Sequence, residues 1–258
     1  MVFINLRLIV KEKSEIKIQD RVSVFYEEER YRKPYSRYYQ DCWTRKMLEF
    51  VSTKGSILDN GCGTGILGEV LSCSDGQIFG IDISHNMLNY AKNRITRLTL
   101  GDSHELPFKR GSFDLVVARS LVHHLHDPQR GIEEMARVLR EGGQMVLTDT
   151  NSSIISYLPR LIAKRGEHFS EDHKNMSCSY LAALLKQFFR IDRIFYFGYL
   201  AYPIGFPDIL DIGKYCPFPV SFTKMLVKID EIIARIPLIR TQSWGVIIKA
   251  TKLGDQHD

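Results

Sequence analysis

From Ser56 to Asn151 short β-branched apolar runs alternate with stretches patterned as helices. Consecutive strand–helix–strand units of this kind lead to a parallel sheet, because parallel neighbours need a long crossover and a helix supplies it. The pattern predicts strands at 57–59, 77–81, 97–101, 113–118 and 144–149, with helices at 65–71, 86–94 and 129–139 between them. Two further strands are expected at 190–198 and 244–252. A chain of 258 residues, 44% hydrophobic and 25% charged, buries a sizeable core, so one domain over 1–258 is expected.

Three regions lie outside the alternation, where substrate choice often resides. Residues 20–51 read as a Tyr-rich helical cap on a core at 52–151, and 152–172 and 199–242 read as insertions on the substrate side. The second insertion holds Pro203, Pro207, Pro217, Pro219 and Pro237, and Met225, Leu226, Ile229, Ile232, Ile233 and Ile236 recur there at helical spacing. That stripe either packs on the sheet edge or walls a hydrophobic substrate pocket.

No window approaches the ~20 apolar residues of a membrane span. The apolar start is broken by Asn5 and Arg7, runs into Lys11 and Lys13 and lacks a small-residue cleavage site, which predicts a mature, cytoplasmic N-terminus. Five scattered cysteines, Cys42, Cys62, Cys73, Cys178 and Cys216, suggest neither a disulfide framework nor a zinc site. The net charge of +5 is spread along the chain. Its densest patch, Arg30, Arg32, Lys33 and Arg37 interleaved with Tyr31, Tyr35, Tyr38 and Tyr39, reads as a solvated helix face, with contact to nucleic acid as the alternative.

The sharpest local signal is Ile57-Leu58-Asp59-Asn60-Gly61-Cys62-Gly63-Thr64-Gly65, a strand running into a glycine-rich turn that opens a helix. Gly63, Gly65 and Gly68 also satisfy the spacing of dinucleotide-binding loops, so the turn alone leaves two ligands open. Asp59, two places before the first glycine, is placed to accept from an ammonium-bearing ligand. Asp82, ending the next strand in Phe79-Gly80-Ile81-Asp82, is placed to take both hydroxyls of a ribose.

With these residues the chain resembles class I S-adenosylmethionine-dependent methyltransferases, close to the small-molecule branch of the quinone-biosynthesis type. Asp59, Gly61, Gly63 and Gly65 match the family's D/E-x-G-x-G-x-G loop, which implies contact with the methionine part of the cofactor, S-adenosyl-L-methionine. Asp82 matches its ribose-binding acid. Gly101-Asp102-Ser103-His104-Glu105-Leu106-Pro107-Phe108 matches its G-D-A-x-x-L-P-F segment, which implies that the Asp102 carboxylate and the Ser103 backbone meet the adenine. Phe113-Asp114-Leu115-Val116 and Arg137-Val138-Leu139-Arg140-Glu141-Gly142-Gly143 match its fourth strand and the turn before the fifth. Cys62, Ile83 and Arg119 join the expected cofactor-binding set. Asn60, where the family is often apolar or small, and Ser103, where it usually has Ala, depart from the pattern. The resemblance implies a Rossmann-like α/β fold: a seven-stranded, mostly parallel sheet with an antiparallel last strand and helices on both faces, an N-terminal helical cap, and an insertion before the last strand.

Methyl transfer from a sulfonium is an in-line displacement with a good leaving group, so a protein chiefly orients the acceptor and excludes water. A base helps where the acceptor is a hydroxyl or an acidic carbon. His123 and His124, in Ser120-Leu121-Val122-His123-His124-Leu125-His126-Asp127 after the fourth strand, are the candidates, and the resemblance implies only that His124 lies near the active site. Their other reading is a polar loop and helix entry with Asp127 as the cap before Pro128. No metal is expected, for want of an outside carboxylate partner. Tyr26, Tyr31 and Tyr38 are candidates to close over the cofactor. The expected activity is methyl transfer to a small, at least partly apolar acceptor, with nucleic acid set aside as partner. An RNA or protein methyltransferase, a non-catalytic cofactor-binding module and a nicotinamide-dependent oxidoreductase are the alternatives.

Overall fold

A computed structural model of the chain describes residues 6–51, 54–71, 76–156, 176–205 and 219–254. Its strands are β1 (Ser56–Asn60), β2 (Gln77–Asp82), β3 (Arg97–Leu100), β4 (Phe113–Arg119), β5 (Leu139–Thr150), β6 (Phe189–Phe197) and β7 (Gly245–Lys252). They form one sheet in the order β3-β2-β1-β4-β5-β7-β6. β1 to β5 pair in parallel, and β7 runs antiparallel to both β5 and β6. The winding reverses between β1 and β4, so the carboxyl ends of the strands open a crevice there. The helices are α1 (Leu6–Ser23), α2 (Tyr26–Tyr31), α3 (Pro34–Leu48), α4 (Ile66–Leu71), α5 (His85–Ala91), α6 (Pro128–Val138), α7 (Cys178–Leu185), α8 (Tyr202–Gly205) and α9 (Val220–Ile233).

Successive strand residues face opposite sides of a sheet, and both sides are covered here. Leu58, Val116 and Met145 pack with α6 and α7 through Ile132, Met135, Leu181 and Leu185. Ile57, Leu115, Val117 and Val146 pack with Trp43 and Met47 of α3 and Leu67 of α4. The central strands are therefore apolar almost throughout until their last residues, where polar groups appear at the edge of the crevice. Among the described residues no helix is long and apolar enough to cross a membrane.

Three expectations need adjustment. The cap starts at Leu6 rather than near residue 20, because the charged stretch before it continues as α1. The helix α9 packs against α3 rather than on the sheet edge. Of its apolar stripe Leu226 is buried, whereas Met225 and Ile232 are exposed at 47% and 62%. Beside the packing of Leu226 and Ile229, a polar anchor holds α9: the buried Asp230 carboxylate accepts from the backbone N–H groups of Tyr199, Leu200 and Ala201. The 152–172 stretch beyond residue 156, Pro207, Pro217, Cys73 and Cys216 lie outside the described residues.

Asn151, just past β5, ties the elements that follow. Its backbone N–H donates to Trp244 O at 2.7 Å, its Nδ2 to Thr241 O and Ser243 O at 3.0 and 3.1 Å, and its Oδ1 accepts from Cys178 N at 2.9 Å. Asn151→Ala leaves several buried partners unsatisfied and is expected to lower unfolding stability by roughly 2–4 kcal/mol in urea denaturation. A loss below ~0.5 kcal/mol would remove Asn151 from this role.

Candidate cofactor site and active site

The turn after β1 is folded by its own N–H groups. Gly61 N and Cys62 N both donate to Ile81 O, at 2.9 and 3.0 Å, and Gly65 N donates to Cys62 O at 2.9 Å. Gly63 N donates to Asp82 Oδ2 at 2.8 Å, and Ser84 N donates to Oδ1 of the same carboxylate at 2.9 Å. A turn that cradles a pyrophosphate aims such N–H groups at the ligand. Here they are committed within the protein, so recognition falls to charged side chains. Gly63 has φ +54°, and a Cβ built on it meets nothing within 4 Å. The space beside it is thus open to a ligand.

Two of those side chains have opposite charge and incomplete pairing. Asp59 is 1% exposed, and its Oδ2 lacks a hydrogen-bond partner. Burial pushes its carboxyl up to about 7, against the pull of Arg119 and with a further push from Asp82. Arg119, half-buried at the end of β4, donates to Thr44 Oγ1 at 3.2 Å and Tyr31 OH at 3.4 Å. No carboxylate among the described residues lies within ion-pair distance of it. A buried acid and a cation left in this way match the ammonium and carboxylate of a zwitterionic amino acid.

On the other side of the crevice, Asp102 Oδ1 accepts from His104 N at 2.9 Å and lies 2.6 Å from His104 Nδ1. Ser103 is buried, and its hydroxyl donates to Asn60 Oδ1 at 2.8 Å. The two departures from the family pattern therefore bond to each other. Ile83 follows Asp82 at the end of β2, half-buried, and Cys62 is buried under the turn with its thiol pushed up by burial.

Ser120, at φ +53°, turns the chain from β4 into the histidine loop, a strained geometry of the kind found at functional sites. His123 Nδ1 lies 2.5 Å from Asp149 Oδ1, and both side chains are almost fully buried. Burial works against ionisation of Asp149, but His123 holds its carboxyl below the usual range. His124 Nδ1 lies 3.0 Å from Glu15 of α1, and the two imidazoles are 4.1 Å apart. Burial opposes ionisation of Glu15 as well, but the bond to His124, the charges of His124 and His123 and the bond from Gln19 together hold its carboxyl below the usual range. His126 packs instead on His104 at 3.8 Å. Asp127 caps α6, its Oδ1 accepting from Arg130 N at 3.0 Å, with Pro128 opening the helix. No metal-binding cluster occurs among the described residues.

The cap is fastened to the same edge. Ser84 Oγ donates to Asp20 Oδ1 at 2.6 Å, and Arg94 pairs with Glu27 of α2 while donating to Thr64 O at 2.9 Å. Of the three tyrosines expected over the cofactor, Tyr31 reaches Arg119. Tyr26 accepts from Arg30, and Tyr38 lies by Lys224 of α9. In the basic patch Tyr35 and Tyr39 are core residues, which breaks its aromatic interleaving. Past β5 and β6 a cavity of about 590 Å³ is lined by Asn151, Ser153, Cys178, Tyr196 and Gln242, among others. Sequence reasoning missed Asp149 and Glu15. Asp149 ends a parallel strand at the ligand-binding edge, a readable signal, whereas Glu15 has none because only the docking of α1 brings it in.

A family model described as a methyltransferase domain matches residues 58–147. The chain is 31% identical over 132 residues to a demethylmenaquinone methyltransferase of Corynebacterium efficiens, covering 47% of this chain and 57% of that one. It is 29% identical over 119 residues to a ubiquinone biosynthesis O-methyltransferase of Coxiella burnetii, covering 43% and 51%. The alignments thus span about half the length of these relatives. Among solved structures, an S-adenosylmethionine-dependent methyltransferase from Thermotoga maritima superposes with a TM-score of 0.67 at 17% identity, covering 92% of this chain and 99% of that one.

Because the folded pKa of Asp59 is raised, the stability its neutral form confers is complete below the unfolded carboxylate value and is lost as pH rises through about 7. Asp59→Asn is therefore expected to melt above the wild type, by a margin that opens between roughly pH 4 and 7 and levels off beyond. A margin independent of pH would show that Asp59 is not held protonated.

Proposed function

We propose that the chain, of which residues 58–147 match a methyltransferase domain model, transfers a methyl group from S-adenosylmethionine to a small, at least partly apolar acceptor. The observation that carries the cofactor reading is the complementary pair of Asp59 and Arg119 beside the open face of Gly63. Asp59 receives the ammonium and Arg119 the carboxylate of the methionine moiety. Asp82, already oriented by Gly63 N and Ser84 N, receives the ribose hydroxyls. Asp102 and the Ser103 backbone meet the adenine, with Gly61, Cys62, Gly65 and Ile83 forming the adjoining wall. Bound there, the cofactor supplies an electrophilic methyl group on a sulfonium with a neutral thioether as leaving group.

His124 is the residue that receives the acceptor's proton, with Glu15 fixing its Nδ1 side. His123, held by Asp149, supports it from beside. The cavity past β5 and β6, built partly from both insertions, is the region from which the acceptor is recognised. The relatives' names, one of them a demethylmenaquinone methyltransferase, support an acceptor of the quinone kind. The burial of Tyr35 and Tyr39 speaks against an aromatic surface for RNA.

Calorimetric titration with S-adenosylmethionine and with S-adenosylhomocysteine is expected to give micromolar binding of both. Asp82→Ala and Gly63→Val are each expected to abolish it in a protein that still folds, with Gly63→Val melting below the wild type because φ +54° strains a β-branched residue even though its side chain enters open space. Retained affinity in either would sink the site assignment.

With an acceptor found by screening quinone-like phenols, His124→Ala is expected to slow turnover by about 10²-fold or more while cofactor affinity stays within about twofold. Undiminished turnover would remove His124 from the chemistry.

A further inference from the structure

We propose that His104 is a positioning residue for the nucleobase, holding the Asp102 carboxylate in the orientation that receives the 6-amino group of adenine. The inference rests on the cofactor reading above. His104 Nδ1 lies 2.6 Å from Asp102 Oδ1, and its Nε2 accepts from the backbone N–H of Asp127 at 3.3 Å. A backbone N–H can only donate, so Nε2 carries the lone pair and Nδ1 the proton. The imidazole is thus assigned as a neutral strut with a different job at each nitrogen.

Both ends of the strut are anchored. Asp102 is bonded a second time through His104 N, so two donors on one oxygen fix the plane of the carboxylate. Asp127 caps α6, and Gly131 N donates to Asp127 O at 3.1 Å. The ring is only 12% exposed and packs on His126 at 3.8 Å, which restrains its rotation. Asp102 itself is 24% exposed and follows the end of β3, where the sheet no longer holds it. Without the imidazole the bond from His104 N no longer has a second donor beside it on the same oxygen. A recognition group set in place before binding gains affinity because less ordering is left to do. The same strut joins the loop after β3 to the loop that carries His123 and His124.

The test separates the adenine amine from everything else in the cofactor. Binding of S-adenosylhomocysteine is compared by calorimetry with that of its counterpart in which hydrogen replaces the 6-amino group. The wild type is expected to prefer the amino compound by about tenfold or more, the range for a hydrogen bond to a charged acceptor. His104→Ala is expected to cut that preference to within about threefold. His104→Asn places an amide N–H where Nδ1 stood and is expected to keep the preference, whereas His104→Gln places it where Nε2 stood and is expected to lose it. Equal weakening of both ligands in all three folded variants would make His104 merely structural and overturn the proposal. An unchanged preference in His104→Ala would overturn it while leaving the cofactor reading intact. Failure of the wild type to bind S-adenosylhomocysteine at all would overturn both.

Discussion

Parallel strands deliver their last residues to one edge, and here that edge receives four carboxylates: Asp59 from β1, Asp82 from β2, Asp102 just past β3 and Asp149 from β5. In a partly desolvated crevice such acids raise one another and resist ionisation. Each is met differently. Asp149 has an imidazole and Asp102 another, and Asp82 has two backbone N–H groups. Asp59 has a buried oxygen that nothing in the described protein satisfies, and its carboxyl is pushed up to about 7. The arrangement leaves one buried carboxyl oxygen unpartnered, next to a guanidinium that has no carboxylate among the described residues within ion-pair distance.

The same edge explains how the cap is held. α1 and α2 bring Glu15, Asp20 and Glu27 against it, and His124, Ser84 and Arg94 meet them. These contacts are polar and partly exposed, and such contacts are weak one by one and screened by salt. α3 is attached by burial instead, with Trp43 and Met47 joining the core under β4.

The alternation between Ser56 and Asn151 made the sheet legible, because each strand carries its own run of buried residues and each helix its own period. The candidate acids Asp59 and Asp82 were legible for a related reason: they stand at fixed offsets from a turn that its glycines allow. The pairings were not. Nothing in the spacing of Glu15 and His124, or of Glu27 and Arg94, reveals that they meet, since those contacts depend on how the cap docks. The stripe on α9 misled because Met225 and Ile232 follow helical spacing without being buried, while Asp230, which the spacing ignores, anchors the helix. His104 was hidden inside a matched segment whose variable positions carry no expectation.

The bond between Ser103 and Asn60 makes two positions 43 residues apart a single unit. Asn60 is fully enclosed, and Ser103, whose hydroxyl it accepts from, is buried. Alanine at 103 would strand the Asn60 oxygen away from water, and an aliphatic side chain at 60 would strand the Ser103 hydroxyl. An apolar residue at 60 together with alanine at 103 strands neither. The path from this chain to the common family pattern therefore crosses a less stable intermediate whichever residue changes first, and a graft of either β1 or the adenine loop from a relative succeeds only when both travel together.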